Sequence, residues 1–144
     1  MKQIEFTVQG TPKGQPRVRA CIRGKHAGVY DPGTADEWKR AVRDAAKAAM
    51  ASQVVTPFDQ AVKLVVHFAM PRPKSHTKSD GSTKSSAPPF HTCKPDLDNL
   101  VKATKDALTT AGVWADDSLV VVCRSLKGYG PTPGASIRIA EVLP

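Results

Sequence analysis

The sequence predicts a small α/β (α+β) domain in which one mixed β-sheet packs against two main helices. Three observations lead there. Residues 3–9 alternate apolar and polar, with Ile4, Phe6 and Val8 set against Gln3, Glu5, Thr7 and Gln9, the period-2 pattern of a half-buried strand. Two stretches, 34–52 and 97–111, repeat apolar residues at helical spacing. Apolar, valine-rich runs at 61–70, 119–127 and 135–143 read as further strands. Elements in this order place helices against one sheet, and 144 residues suffice for one core, so 1–144 reads as a single domain.

Taken along the chain, each element has a local reason. Residues 10–26 form a basic loop or hairpin punctuated by Gly and Pro, and they carry Lys13, Arg17, Arg19, Arg23 and Lys25. Val29 and Tyr30 suit a short strand. Pro32-Gly33 makes a turn, and Thr34-Ala35-Asp36-Glu37 matches a capping box that starts a helix running to about Ser52. Trp38, Ala41, Val42, Ala45 and Ala49 make its buried stripe, leaving Lys39, Arg40, Arg43 and Lys47 outward. The run Ala61 to Met70 reads as a central strand, with His67 a satisfied core group.

Residues 71–95 change character. Five basic residues and one acid among many Ser, Pro and Gly predict a long, flexible basic loop, with Phe90 as an anchor to the core. The helix over 97–111 turns Leu97, Leu100, Val101, Thr104, Ala107, Leu108 and Ala111 inward, and Gly112 closes it at the C′ position. Residues 128–134 form the turn region between the last two strands. Trp38 and Trp114 sit beside apolar neighbours and read as core.

Charge and composition bound the function. A net charge of +8 and a pI near 9.6 point to a polyanionic partner, nucleic acid before membrane. No apolar run is long enough to span a bilayer, and Met1-Lys2-Gln3 opens directly into a strand, so a cytoplasmic protein is expected. Cys21, Cys93 and Cys123 are an odd number at scattered positions, which predicts reduced thiols rather than a disulfide framework. His91 and Cys93 lack a second ligand pair at zinc-site spacing. No nucleotide cofactor is expected.

The acids are concentrated. Residues 96–117 hold five Asp against two Lys, a local net of −3, while the rest of the chain carries +11. An acidic island in a basic protein suits a metal-dependent enzyme acting on a phosphodiester, since basic groups hold the backbone and carboxylates hold a cation. At ~100° per residue, Asp98 and Lys102 fall together off the apolar face of the second helix. Asp96 precedes its first turn, where free backbone N–H groups favour anions. Asp96, Asp98 and one of Asp116 or Asp117 would supply the few oxygen ligands that Mg²⁺ requires. Each residue also has a plain structural use: Asp at a helix start as a cap, Lys102 as an i±4 partner of Asp98 and Asp106, Asp116-Asp117 as a solvated turn.

Over Pro95 to Val120 the sequence resembles the RusA family of Holliday-junction resolvases, found in phages and prophages. The matching residues are Asp96-Leu-Asp-Asn-Leu-Val-Lys102, then Asp106-Ala-Leu, then Ala111-Gly-Val-Trp-Ala-Asp-Asp117. Gly10 to Arg19 and Met70 to His76 are similar to longer members. The resemblance implies that Asp96, Asp98 and Asp117 bind the metal (Mg²⁺, with Mn²⁺ an alternative), that Asp116 is the neighbouring acid, and that Lys102 is essential for cleavage. It also implies a homodimer that nicks a DNA four-way junction symmetrically. A dimer follows independently from coordinated cutting, because a two-fold axis must relate the two sites.

Two basic clusters are the candidate DNA contacts: Arg17, Arg19, Arg23 and Lys25, and Arg72, Lys74, Lys78, Lys84 and Lys94. Loops of this composition hold phosphates without reading sequence. The competing readings are a nuclease for other branched or flapped DNA and a non-catalytic DNA-binding module.

Overall fold

The computed structural model describes residues 1–144. In chain order the elements are β1 (Gln3–Gln9), β2 (Arg19–Arg23), β3 (His26–Tyr30), α1 (Asp36–Ser52), β4 (Val62–Met70), α2 (Leu97–Thr110), β5 (Val120–Tyr129) and β6 (Gly134–Glu141). Single 3₁₀ turns occupy Lys74–His76 and Asp117–Leu119. Four strands form a mixed sheet in the order β1-β6-β4-β5; β4 and β5 run parallel and the other pairs antiparallel.

The period-2 patterning decides which face is covered. Ile4 pairs with Ile139 and Ile139 with Leu64, a cross-strand row that is fully buried. Val8, Ala135 and Phe68 form a second such row. Both helices contribute to the same core: Trp38, Val42, Ala46 and Ala49 from α1, and Leu100, Ala103, Thr104, Ala107 and Leu108 from α2. Alanines on both helices let their backbones approach, and the Trp38 indole N–H donates to the Thr104 hydroxyl at 3.3 Å inside the core. Trp114 is buried and donates to the Thr109 hydroxyl at 2.7 Å, fixing the chain just after α2. Gly112 has φ +78°, the left-handed conformation that ends the helix at C′.

Three expectations need correction. The Thr34–Glu37 capping box does not form: α1 starts at Asp36, its N-cap is Ala35, and no side chain caps it. The turn does that work instead, since the Asp36 N–H donates to the Gly33 carbonyl at 3.2 Å. His67 is exposed, because alternation along β4 puts Lys63, Val65, His67 and Ala69 on the sheet's open face. Phe90 is 72 % exposed and anchors nothing. The buried residue of that segment is its neighbour His91, packed edge-on against Tyr129 with ring centroids 5.2 Å apart.

β2 and β3 form a separate two-stranded hairpin turned at Gly24, and every residue in its strands except Cys21 is exposed. Cross-strand register gives it two unlike faces. Arg19 pairs with Tyr30 and Arg23 with His26 on one, while Ala20 pairs with Val29 and Ile22 with Ala27 on the other.

Candidate active site

The head of α2 presents the first two acids. Asp96 occupies the N-cap position with extended backbone, but its carboxylate does not cap the helix; Oδ2 accepts a hydrogen bond from Lys94 Nζ at 3.0 Å. Asp98 lies in the first turn, exposed and without an ion-pair or hydrogen-bond partner. Lys102, one turn on, is equally exposed and pairs with neither Asp98 nor Asp106. The nearest cation to Asp106 is Lys39, at 4.0 Å. The i±4 pairing that would give Lys102 a merely structural use is therefore absent.

The third acid arrives from the other side of α2. Lys105 continues the stripe of Asp98 and Lys102 at i+7 and i+3, a helical spacing that keeps all three on one face. Its Nζ lies 3.2 Å from Asp117 Oδ2. Asp116 points elsewhere: it caps the following 3₁₀ turn by accepting from the Ser118 N–H at 2.7 Å. Hydrogen bonds from the Ser118 hydroxyl and backbone hold the Asp116 carboxyl below the usual carboxylate range. The two adjacent acids thus have different partners, one local and one on α2.

The donor chemistry of Asp96, Asp98 and Asp117 suits a hard divalent cation, since all three offer carboxylate oxygens at the surface. No three His, Cys, Asp or Glu side chains are grouped closely enough to hold a metal ion together. Asp96 and Asp117 are instead oriented by Lys94 and Lys105.

Two further segments wall the head of α2. The Gln15 N–H donates to the Asn99 carbonyl at 2.9 Å. Gly14 lies so close that a Cβ there would meet Asn99 Cβ at 3.1 Å and Pro95 Cβ at 3.2 Å, so only glycine fits without displacement. A polar recess of about 370 Å³ opens beside Asp96, lined by Lys13, Gln15, Thr34, Lys94 and Asn99 among others. On the opposite side, Lys127 Nζ donates to the carbonyls of Cys93 at 2.7 Å and Pro95 at 2.8 Å.

The 71–95 segment is tied to the end of β5. The Arg72 guanidinium lies 4.2 Å from the Tyr129 ring centroid and donates to the Pro88 carbonyl at 2.9 Å. His76 also packs on Tyr129, and Cys93 Sγ lies 3.5 Å from His91 Nε2. Lys74 is exposed within the 3₁₀ turn, and Arg17, Arg19, Arg23 and Lys25 are exposed on and beside the β2–β3 hairpin. Sequence reasoning passed over Lys105 and Lys127. Lys105 had a signal, its helical spacing from Lys102; Lys127 had none, because its position depends on how β5 pairs.

Asp98, Lys102 and Lys105 thus share one face of α2, with Asp96 ahead of them and Asp117 beside Lys105, on a strongly basic α+β domain. The family described as endodeoxyribonuclease RusA matches residues 9–140, and the chain belongs to this family of endodeoxyribonucleases. It is 34 % identical over 143 residues to a Bacillus subtilis (strain 168) protein described as uncharacterized protein YqaN, covering 99 % of each chain. Over 35 residues it is 63 % identical to the crossover junction endodeoxyribonuclease RusA of Escherichia coli O139:H28 (strain E24377A / ETEC), 24 % of this chain and 29 % of that one. The corresponding enzyme of Enterobacteria phage 82 is 62 % identical over 32 residues, 22 % of this chain and 27 % of that one. No helix is long and apolar enough to cross a membrane.

Proposed function

We propose that this protein is a Mg²⁺-dependent, structure-selective endodeoxyribonuclease that resolves DNA four-way junctions. It does so as a homodimer, by paired symmetric nicks, in the cytoplasm of its cell or of a phage-infected host. The observation that carries this reading is the stripe along α2: Asp98 and Lys102 exposed and unpaired, with Asp96 ahead of them and Asp117 held beside Lys105. Short stretches of 62–63 % identity to two crossover junction endonucleases support the choice of substrate.

Asp96, Asp98 and Asp117 would hold the ion, with Asp117 favoured over Asp116 because Asp116 is occupied by Ser118. When bound, a divalent cation polarises a phosphoryl oxygen and lowers the pKa of a coordinated water. Lys102, with no partner in the protein, is free to meet the negative charge that builds on the phosphate, or to hold the attacking water. Arg17, Arg19, Arg23 and Lys25 reach the DNA backbone from the hairpin, and Arg72, Lys74 and Lys94 from the 71–95 segment. Two such sites related by a two-fold axis would cut strands of like polarity at matching positions.

The test is a labelled four-way junction incubated with Mg²⁺, or with Mn²⁺ as the alternative ion, and compared with flap and duplex substrates. The expected result is paired nicks in the junction, lost on Asp98→Asn with binding retained. Preference for flaps, or isolated single nicks, would overturn junction resolution. Cleavage that survives Asp98→Asn would overturn the site.

A further inference from the structure

Lys127 sits near the end of β5, outside the stripe of candidate catalytic residues, yet its ammonium group reaches the loop that precedes them. It donates to the Cys93 carbonyl at 2.7 Å and to the Pro95 carbonyl at 2.8 Å. These two residues flank Lys94, and Pro95 immediately precedes Asp96. One half-buried ammonium therefore grips the backbone on both sides of Lys94, whose own side chain goes on to the Asp96 carboxylate at 3.0 Å. Charge-assisted hydrogen bonds of this length are about twice as strong as neutral ones, and strengthen further where solvent is partly excluded.

The surroundings leave the loop few other supports. Upstream, His91 is buried against Tyr129, two residues beyond Lys127 on the same strand, and Arg72 covers that ring. Downstream, the Gln15–Asn99 backbone bond and the close approach of Gly14 to Pro95 and Asn99 hold the first turn of α2. Between these supports, the carbonyls of Cys93 and Pro95 have no hydrogen-bond donor except Lys127. The 3₁₀ turn Asp117–Leu119 leads straight into β5, so the third acid lies one turn ahead of the strand that carries this lysine near its end.

We propose that Lys127 is a positioning residue: by bridging the Cys93 and Pro95 carbonyls to the sheet, it fixes the backbone that carries Asp96 and so places that carboxylate at the head of α2. The proposal rests on the reading of Asp96, Asp98 and Asp117 given above. Lys127 touches neither DNA nor metal in this role, and its effect passes through Asp96.

The experiment compares wild type with Lys127→Met, which keeps the length and loses the donors, and with Lys127→Arg, which restores donors. Single-turnover cleavage, junction affinity measured without a catalytic metal, and Mn²⁺ affinity by calorimetry are read for each. For Lys127→Met the cleavage rate should fall about 10- to 100-fold, as a displaced catalytic group would cause. Junction affinity should change less than about threefold, and Mn²⁺ binding should weaken about tenfold, the usual effect of losing an outer support. Lys127→Arg should recover part of both the rate and the Mn²⁺ affinity. A rate and a Mn²⁺ affinity both unchanged in Lys127→Met would overturn the proposal. So would a loss confined to junction affinity, which would make Lys127 a DNA contact. If Lys127→Met does not fold, Lys127→Gln, which loses the charge and is too short to span to both carbonyls, is held to the same outcomes. Failure of the wild type to cut any junction would count against the functional reading, and the Mn²⁺ titration would then decide Lys127 by itself.

Discussion

Lys105 and Asp117 meet at 3.2 Å across the turn that connects α2 to β5. Asp116, next in the chain, is turned to Ser118 instead. Asp117→Asn should lower junction cleavage about 100-fold or more, as loss of a metal-binding carboxylate does, while Asp116→Asn should stay within about threefold of wild type. Single-turnover cleavage of a labelled junction checks both, and the reverse order would move the ligand role to Asp116.

Both members of that pair are partly exposed, at 25 % and 44 % of the side chain, so its contribution to folding is small. Lys105→Met should cost about 1 kcal/mol or less in urea unfolding, because solvent screens such pairs. A larger loss would mean that the pair holds the fold together rather than orienting a carboxylate.

Lys102 is exposed and makes no hydrogen bond or ion pair that its removal would break. Lys102→Met should leave the melting temperature unchanged and lower the cleavage rate about 100-fold, the order expected for removing a group that stabilises transition-state charge. Melting and cleavage measured on the same preparation separate the two effects.

Inside the core, the Trp38 N–H reaches only the Thr104 hydroxyl. Thr104→Val should cost about 1–3 kcal/mol by leaving that donor buried and unpaired. Trp38→Ala should cost about 3–5 kcal/mol by opening a cavity between the helices and the sheet. Urea unfolding of the two variants tests this order.

His91 gives a pH dependence. Burial first, and then the neighbouring Lys127 charge, hold its imidazole below the usual histidine value of 6.5. Tyr129 faces it as well, and burial holds that phenol above its usual value, so the ring supplies no negative charge to offset this. The unfolded chain therefore takes up the proton first. The stabilisation is complete above the unfolded value and is lost as pH falls through the lower folded one. Melting temperatures across about pH 7.5 to 5 should fall more steeply for wild type than for His91→Phe.

Much of the fold was legible because burial leaves a period in the sequence. β1 was expected at 3–9 and lies there, and the helix expected over 97–111 spans Leu97–Thr110 with Gly112 in its C′ role. Where one short motif has several uses, the reading failed: Thr34–Glu37 has the letters of a capping box, but the Gly33 carbonyl serves instead. Phe90 and His91 show a related limit, since hydrophobicity ranks Phe90 first and tertiary packing buries His91. The exposure of Asp98 and Lys102 came from helix geometry alone. The Lys105–Asp117 and Lys127–Pro95 contacts came from nowhere in the sequence, because both depend on β5 lying parallel to β4, and strand direction leaves no periodic trace.

That parallel pairing, Val62 beside Val120, has a consequence for the protein during its own synthesis. Asp96, Asp98, Lys102 and Asp117 all lie in the crossover between the two strands, and closing a loop of that length is a non-local, late event in folding. A nascent chain that has not yet formed β5 already has Lys105 for Asp117 but lacks Lys127, the support of the backbone ahead of Asp96. The candidate site therefore takes its final form only once β5 has paired with β4, which makes the slowest pairing in the sheet the one that completes it.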